Sequence, residues 1–88
     1  MADQTKSLSG HTALVTGGSR NIGRAIALSL ADAGANIIVN TLQDRAAADA
    51  VAAEIRGLGG NAIVDVADVT DADQVAAMVD AGKKEFGS

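Results

Sequence analysis

The chain has 88 residues, 48% hydrophobic and 20% charged, and its 7 basic and 11 acidic groups leave a net charge of −4. That balance argues against disorder, against several domains and against a nucleic-acid surface. No Cys, Tyr or Trp is present and only one His, so thiolate nucleophiles, Cys-ligated zinc, multi-His metal sites, a Tyr general acid and aromatic stacking platforms all lack their residues.

Residues 1–10 are polar, end in Ser9-Gly10 and read as a flexible leader, which places the fold at residues 11–88. The longest apolar runs are four or five residues. A bilayer needs roughly 20, and the N-terminus has no apolar targeting core, so a soluble, cytoplasmic chain is expected.

Thr12-Ala13-Leu14-Val15-Thr16 is a short β-prone run stopped by Gly17-Gly18, as in a buried strand of a parallel sheet. From Asn21 the period becomes helical, with Ile22, Ile26, Ser29/Leu30 and Ala33 on one face and Gly34 as the C-terminal cap. Asn36 to Asn40 predicts a second strand. After Asp44, a helix cap, the residues Ala48, Val51, Ile55 and Leu58 mark a second helix ended by Gly59-Gly60. Asn61 to Val66 predicts a third strand, in which Asp65 reads as a charge guarding an edge. A third helix follows, with Thr70 as its expected cap and Val75, Met78/Val79, Gly82 and Phe86 as its apolar stripe. Strand and helix alternate with short turns, which predicts βαβαβα: a Rossmann-type α/β fold, a doubly wound parallel sheet with right-handed crossovers.

The chemistry concentrates in Thr16-Gly17-Gly18-Ser19-Arg20-Asn21-Ile22-Gly23-Arg24, where the first strand becomes the first helix. Glycines allow the sharp turn, the first N–H groups of the helix have no intrahelical acceptor, and the helix dipole favours an anion such as a pyrophosphate. The plain alternative is a turn that only connects two elements. No Gly-Lys-Ser/Thr follows, which argues against a P-loop, and strict G-x-G-x-x-G is not met.

The stretch resembles the first turn of the short-chain dehydrogenase/reductase family, T-G-x-x-x-G-x-G: Thr16, Gly17 and Gly23 fit, and Asn21 stands at the middle Gly. By this resemblance Gly17, Ser19, Arg20, Asn21, Ile22 and Gly23 would contact the cofactor. Asp68-Val69-Thr70-Asp71 looks like the family's adenine element, with the Asp68 carboxylate accepting from the adenine amino group and the Val69 backbone meeting the ring edge. The alternative for Asp68 to Asp71 is a helix cap.

An acidic residue at the end of the second strand would accept from an unphosphorylated ribose, but Asn40-Thr41-Leu42 stands there. Asn40 and Thr41 are therefore candidate cofactor residues without a charge to repel a 2′-phosphate, and Arg20 could pair with one. These residues favour NADP(H) over NAD(H). Arg45 is a weaker candidate on the same rim. His11 reads as a surface residue, and Asp71, Asp73 and Asp80 as a solvated helix face with no metal site.

The resemblance, which extends to the 3-oxoacyl-carrier-protein reductase branch, covers only the first part of the family's fold. The family's catalytic Ser and Tyr-x-x-x-Lys pair come later. With no Tyr present, these residues are expected to bind cofactor without catalysis, and the complete protein to be a homo-oligomeric dimer or tetramer transferring hydride to a carbonyl. The family's Asn-Asn-Ala-Gly strand would pair beside the first strand, so in this chain that strand is expected as an exposed apolar edge. Two alternatives stay open: a stand-alone nucleotide-binding module, and a methyltransferase-type domain for S-adenosylmethionine, against which the missing acidic residue at Asn40 counts.

Overall fold

Strands and helices alternate as β1 (Thr12–Thr16), α1 (Asn21–Asp32), β2 (Asn36–Thr41), α2 (Arg45–Gly57), β3 (Ala62–Val66) and α3 (Ala72–Phe86). This is seen in a computed structural model that describes residues 8–17 and 21–87, the side chain of Asn21 excepted. The strands form one parallel sheet in the order β1-β2-β3, as expected for a doubly wound fold. The third strand starts at Ala62, one residue later than expected, although the Asn61 carbonyl already accepts from the Ile37 N–H at 2.9 Å. The second extends through Thr41.

The alternation of side chains across a strand divides the core in two. Val15, Ile37, Val39 and Ala62 join Ala27 of α1 and Ala48, Val51, Ala52 and Ile55 of α2 on one face. Ile38 and Ile63 meet Val75, Met78 and Phe86 of α3 on the other. There α3 crosses close: a Cβ on Gly82 would stand 2.6 Å from Ile38 Cδ1. Since α3 lies on the face opposite α1 and α2, a right-handed crossover after it leads toward β1.

The apolar stripe of α1 differs from the sequence expectation. Ala27 is buried against the sheet, flanked by Gly23, Leu30 and Ala31, whereas Ile22 and Ile26 are 78% and 47% exposed. Small residues let α1 approach the strands. Arg24 faces α2, where its guanidinium makes a two-pronged ion pair with Glu54. At 100° per residue, Ile22 and Ile26 fall on the opposite flank, beyond β1. Leu58 likewise leaves its predicted stripe, because the chain has already turned out of α2 there.

The two sheet edges differ. Among the described residues β1 pairs only with β2, carries no charge and leaves Leu14 partly exposed. The β3 edge carries Asp65, and the Arg56 guanidinium donates to the Ala62 carbonyl at 2.7 and 3.1 Å, covering part of that edge.

Each helix stops by a defined cap. After α1 the N–H of Ala35 donates to the Leu30 carbonyl and that of Gly34 to Ala31. After α2 the N–H of Gly60 reaches Ile55 and that of Gly59 reaches Arg56. Both are Schellman turns whose pivot glycines, Gly34 and Gly59, have φ of 101° and 92°. α3 stops at Gly87, φ 79°, whose N–H donates to the Lys83 carbonyl; its N-cap corrects the sequence expectation, since Asp71, not Thr70, accepts from the N–H groups of Asp73 and Gln74. The Thr70 hydroxyl instead donates to Asp68.

These caps predict opposite signs for two similar changes. Gly34→Ala forces a Cβ into a left-handed pivot and should cost about 1 kcal/mol, lowering the melting temperature by roughly 4–8 °C. Gly57→Ala, in the last turn of α2 with open space around its Cβ position, should raise stability by about 0.5 kcal/mol. Thermal unfolding followed by circular dichroism reads both.

Candidate functional site

The register sets Thr16 of β1, Asn40 of β2 and Asp65 of β3 level across the sheet. Neighbouring strands lie about 4.8 Å apart, so the chain segments leaving them share one rim roughly 10 Å across. On an open α/β sheet, the crevice at these carboxyl ends is where ligands bind.

At the β1 end, Gly17 takes φ 64°, which turns the chain toward α1 at no steric cost. Ser19, Arg20 and the side chain of Asn21 lie outside the described residues. α1 has no acidic residue in its first turn, so nothing there opposes an anion at the positive end of the helix. Ile22 is exposed and Gly23 half-buried.

At the β2 end, Asn40 and Thr41 are both buried, at 3% and 5% exposure. The Asn40 amide is turned to the α3 face, where Nδ2 donates to the Ala67 carbonyl at 3.2 Å, more weakly to Asp65, and lies 3.6 Å from Met78 Sδ. Thr41 Oγ1 accepts from the Asp44 N–H at 3.2 Å. Asp44 caps α2 as expected, its Oδ1 accepting from the Ala47 N–H at 3.0 Å. Leu42, rather than Asn40 or Thr41, is the exposed side chain at this strand end.

At the β3 end, Asp68 sits in a tight turn. Its Oδ1 accepts from the Thr70 hydroxyl at 2.6 Å and the Thr70 N–H at 2.9 Å. Its own N–H donates to Gln74 Oε1 at 2.9 Å, and the Gln74 amide donates to Asp71 Oδ2. The Thr70 hydroxyl, followed by the Thr70 N–H, holds the Asp68 carboxyl below its ordinary pKa, against a small opposing effect of desolvation. Both bonds fall on Oδ1, leaving Oδ2 for a further donor. The Asp-x-Thr spacing is the sequence signal for the Thr70 contact, whereas no local pattern marks Gln74 as a partner of Asp68.

Leu42, Val66 and Val69, between 40% and 59% exposed, stand at the same end of the sheet and offer apolar surface beside Asp68. A cavity of about 320 Å³ lies at the other end, between the turns that close α1 and α2, with Leu28, Ala31, Asp32 and Ile55 in its wall. Helix carbonyls and a carboxylate point to that end, which suits no phosphate. The open crevice lies instead at the end of the sheet where the N-terminus of α1 points.

Comparison with known proteins agrees with the fold. Residues 11–88 match the short chain dehydrogenase family, and the chain belongs to it. It is 46% identical over 80 residues to an uncharacterised oxidoreductase of Methylorubrum extorquens, and 47% identical over 77 residues to the 3-oxoacyl-[acyl-carrier-protein] reductase FabG of Staphylococcus aureus. These matches cover 91% and 88% of this chain but 32% and 31% of the relatives. A solved hydroxysteroid dehydrogenase from Escherichia coli superposes with a TM-score of 0.83 at 34% identity, over 92% of this chain and 34% of that one. The chain thus spans about a third of the length of the proteins it matches.

Asp68 gives this rim a measurable signature. A carboxylate with a depressed folded-state pKa stabilises the fold above its unfolded value, about pH 4, and that contribution disappears as pH falls through the folded value. Thr70→Val removes the hydroxyl that lowers the Asp68 pKa most and should move the Asp68 titration upward in a carbon-detected NMR experiment. An unchanged titration would show that the hydroxyl does not matter.

Proposed function

We propose that residues 11–88 form the NADP(H)-binding part of an oxidoreductase that passes hydride between the nicotinamide and a carbonyl or alcohol. The observation that carries this reading is the level arrangement of three strand ends, with the Gly17 turn at one side and the Asp68 turn at the other, in a chain of a dehydrogenase family. The pyrophosphate would lie on the turn from Gly17 to Gly23, with Ser19, Arg20, Asn21 and Ile22. The ribose would lie over Asn40 and Thr41, and adenine against Asp68 and Val69. The open Oδ2 of Asp68 and the exposed Val69 side chain fit an amino-bearing aromatic ring.

Preference for the phosphorylated cofactor is supported at the β2 end. No acidic residue stands at positions 40–42, and the nearest carboxylate in sequence, Asp44, caps the first turn of α2. Arg20 supplies the positive charge. The resemblance to a reductase of acyl-carrier-protein substrates supports a carbonyl substrate in the complete protein, taken to be a cytoplasmic homo-oligomer. Absence of Tyr from these 88 residues favours a second outcome for this chain alone: cofactor binding without turnover.

Titration with NADPH and NADH tests the assignment. Arg20→Ala should weaken NADPH by about ten- to a hundredfold, the worth of a charge-assisted hydrogen bond, and NADH far less. Equal losses would sink the 2′-phosphate assignment, and tight S-adenosylmethionine binding would sink the dehydrogenase reading.

A further inference from the structure

Asn40 stands at the strand end where a ribose would be held, yet its side chain is spent behind that surface. It is 3% exposed, and its amide nitrogen donates to the Ala67 carbonyl, more weakly to the Asp65 carbonyl, and touches the Met78 sulfur. Those contacts bridge β2, the segment leaving β3, and α3. The Ala67 N–H closes the same junction from the other side by donating to the Thr41 carbonyl at 3.0 Å.

The residue after Ala67 is Asp68. Its N–H is held by Gln74 Oε1, its carboxylate by Thr70, and its carbonyl by the Asp71 N–H at 3.0 Å. The turn over residues 67–71 is thus pinned on both sides: to the sheet by Asn40, and to the first turn of α3 by Gln74. An ordered turn binds a flat ring more tightly than a mobile one, because the loss of backbone freedom has been met before the ligand arrives. A buried amide is also costly to replace, since an apolar side chain takes from the Ala67 carbonyl the donor that Asn40 supplies.

We infer that Asn40 is a positioning residue for the adenine end of the site: its side chain fixes the Asp68–Val69 turn through the Ala67 carbonyl and is turned away from the surface where the ribose would lie. This rests on the nucleotide reading above. Removing Asn40 should weaken a ligand that carries adenine and leave intact the affinity for a phosphate group alone, which the Gly17 turn would hold.

The test uses ADP and inorganic pyrophosphate as probes, each titrated by NMR into the 88-residue chain and its variants. Asn40→Leu, close in shape but without a donor, should lose about tenfold in ADP affinity, the worth of one to two hydrogen bonds, with pyrophosphate affinity held within about twofold. Amide exchange at Asp68 and Val69 should quicken, while exchange in β1 stays as in the parent chain. Gln74→Ala, an exposed position that frees the other side of the turn, should weaken ADP in the same selective way and serves if Asn40→Leu does not fold. Equal loss of both probes, or unchanged ADP affinity in a folded variant, overturns the positioning role. Failure of the parent chain to bind either ADP or NADPH overturns the nucleotide reading itself, and the inference with it.

Discussion

The structure depends on the burial of β2 from both sides. Ile37 and Val39 are fully buried beneath α1 and α2, and Ile38 beneath α3. Because its neighbours pair with it in register, Thr16 and Asp65 are both measured from Asn40. A slip of one residue in either pairing would reverse every side chain of that strand between the two half-cores. It would also move one end of the rim away from the other by about 3.3 Å. The stability of the core and the alignment of the rim are therefore one property.

The rim itself is built from short local turns laid on that frame. Gly17 bends the chain with a positive φ, Asp44 and Asp71 close the starts of α2 and α3, and Asp68 is folded onto Thr70. None of these turns needs a large side chain. Their side-chain hydrogen bonds are mostly exposed and individually modest. Precision at the rim comes from several such bonds acting on a few residues, with Asn40 as the buried member of the set.

Much of this was legible in the sequence because the signals are local. Apolar runs of five residues bounded by glycine gave the strands, and Gly34 and Gly59 stood where helices had to stop. The class of fold and the end of the sheet that carries the rim followed from order alone. What was not legible concerned which of two apolar faces a helix turns inward. Ile22 and Ile26 outweigh Ala27 and Ala31 in hydrophobicity, yet the small residues face the sheet because the closeness of approach, not residue size, decides the packing. The cap of α3 was displaced by one residue for a similar reason: Thr70 and Asp71 are both good caps, and Asp68 claims the Thr70 hydroxyl. At Asn40 a strand-end position was visible, but the direction of its amide depends on Met78 and Ala67, more than 25 residues away in sequence.

The crossing of α3 over β2 ties two distant positions together. Gly82 leaves room for Ile38 Cδ1 and for nothing larger, so the two residues divide one fixed volume. Among related chains they are expected to change as a pair: a methyl group gained at position 82 should be matched by one lost at position 38. A lineage that gained a methyl group at position 82 alone would have to turn the Ile38 Cδ1 methyl aside, out of the pocket it fills beside Met78.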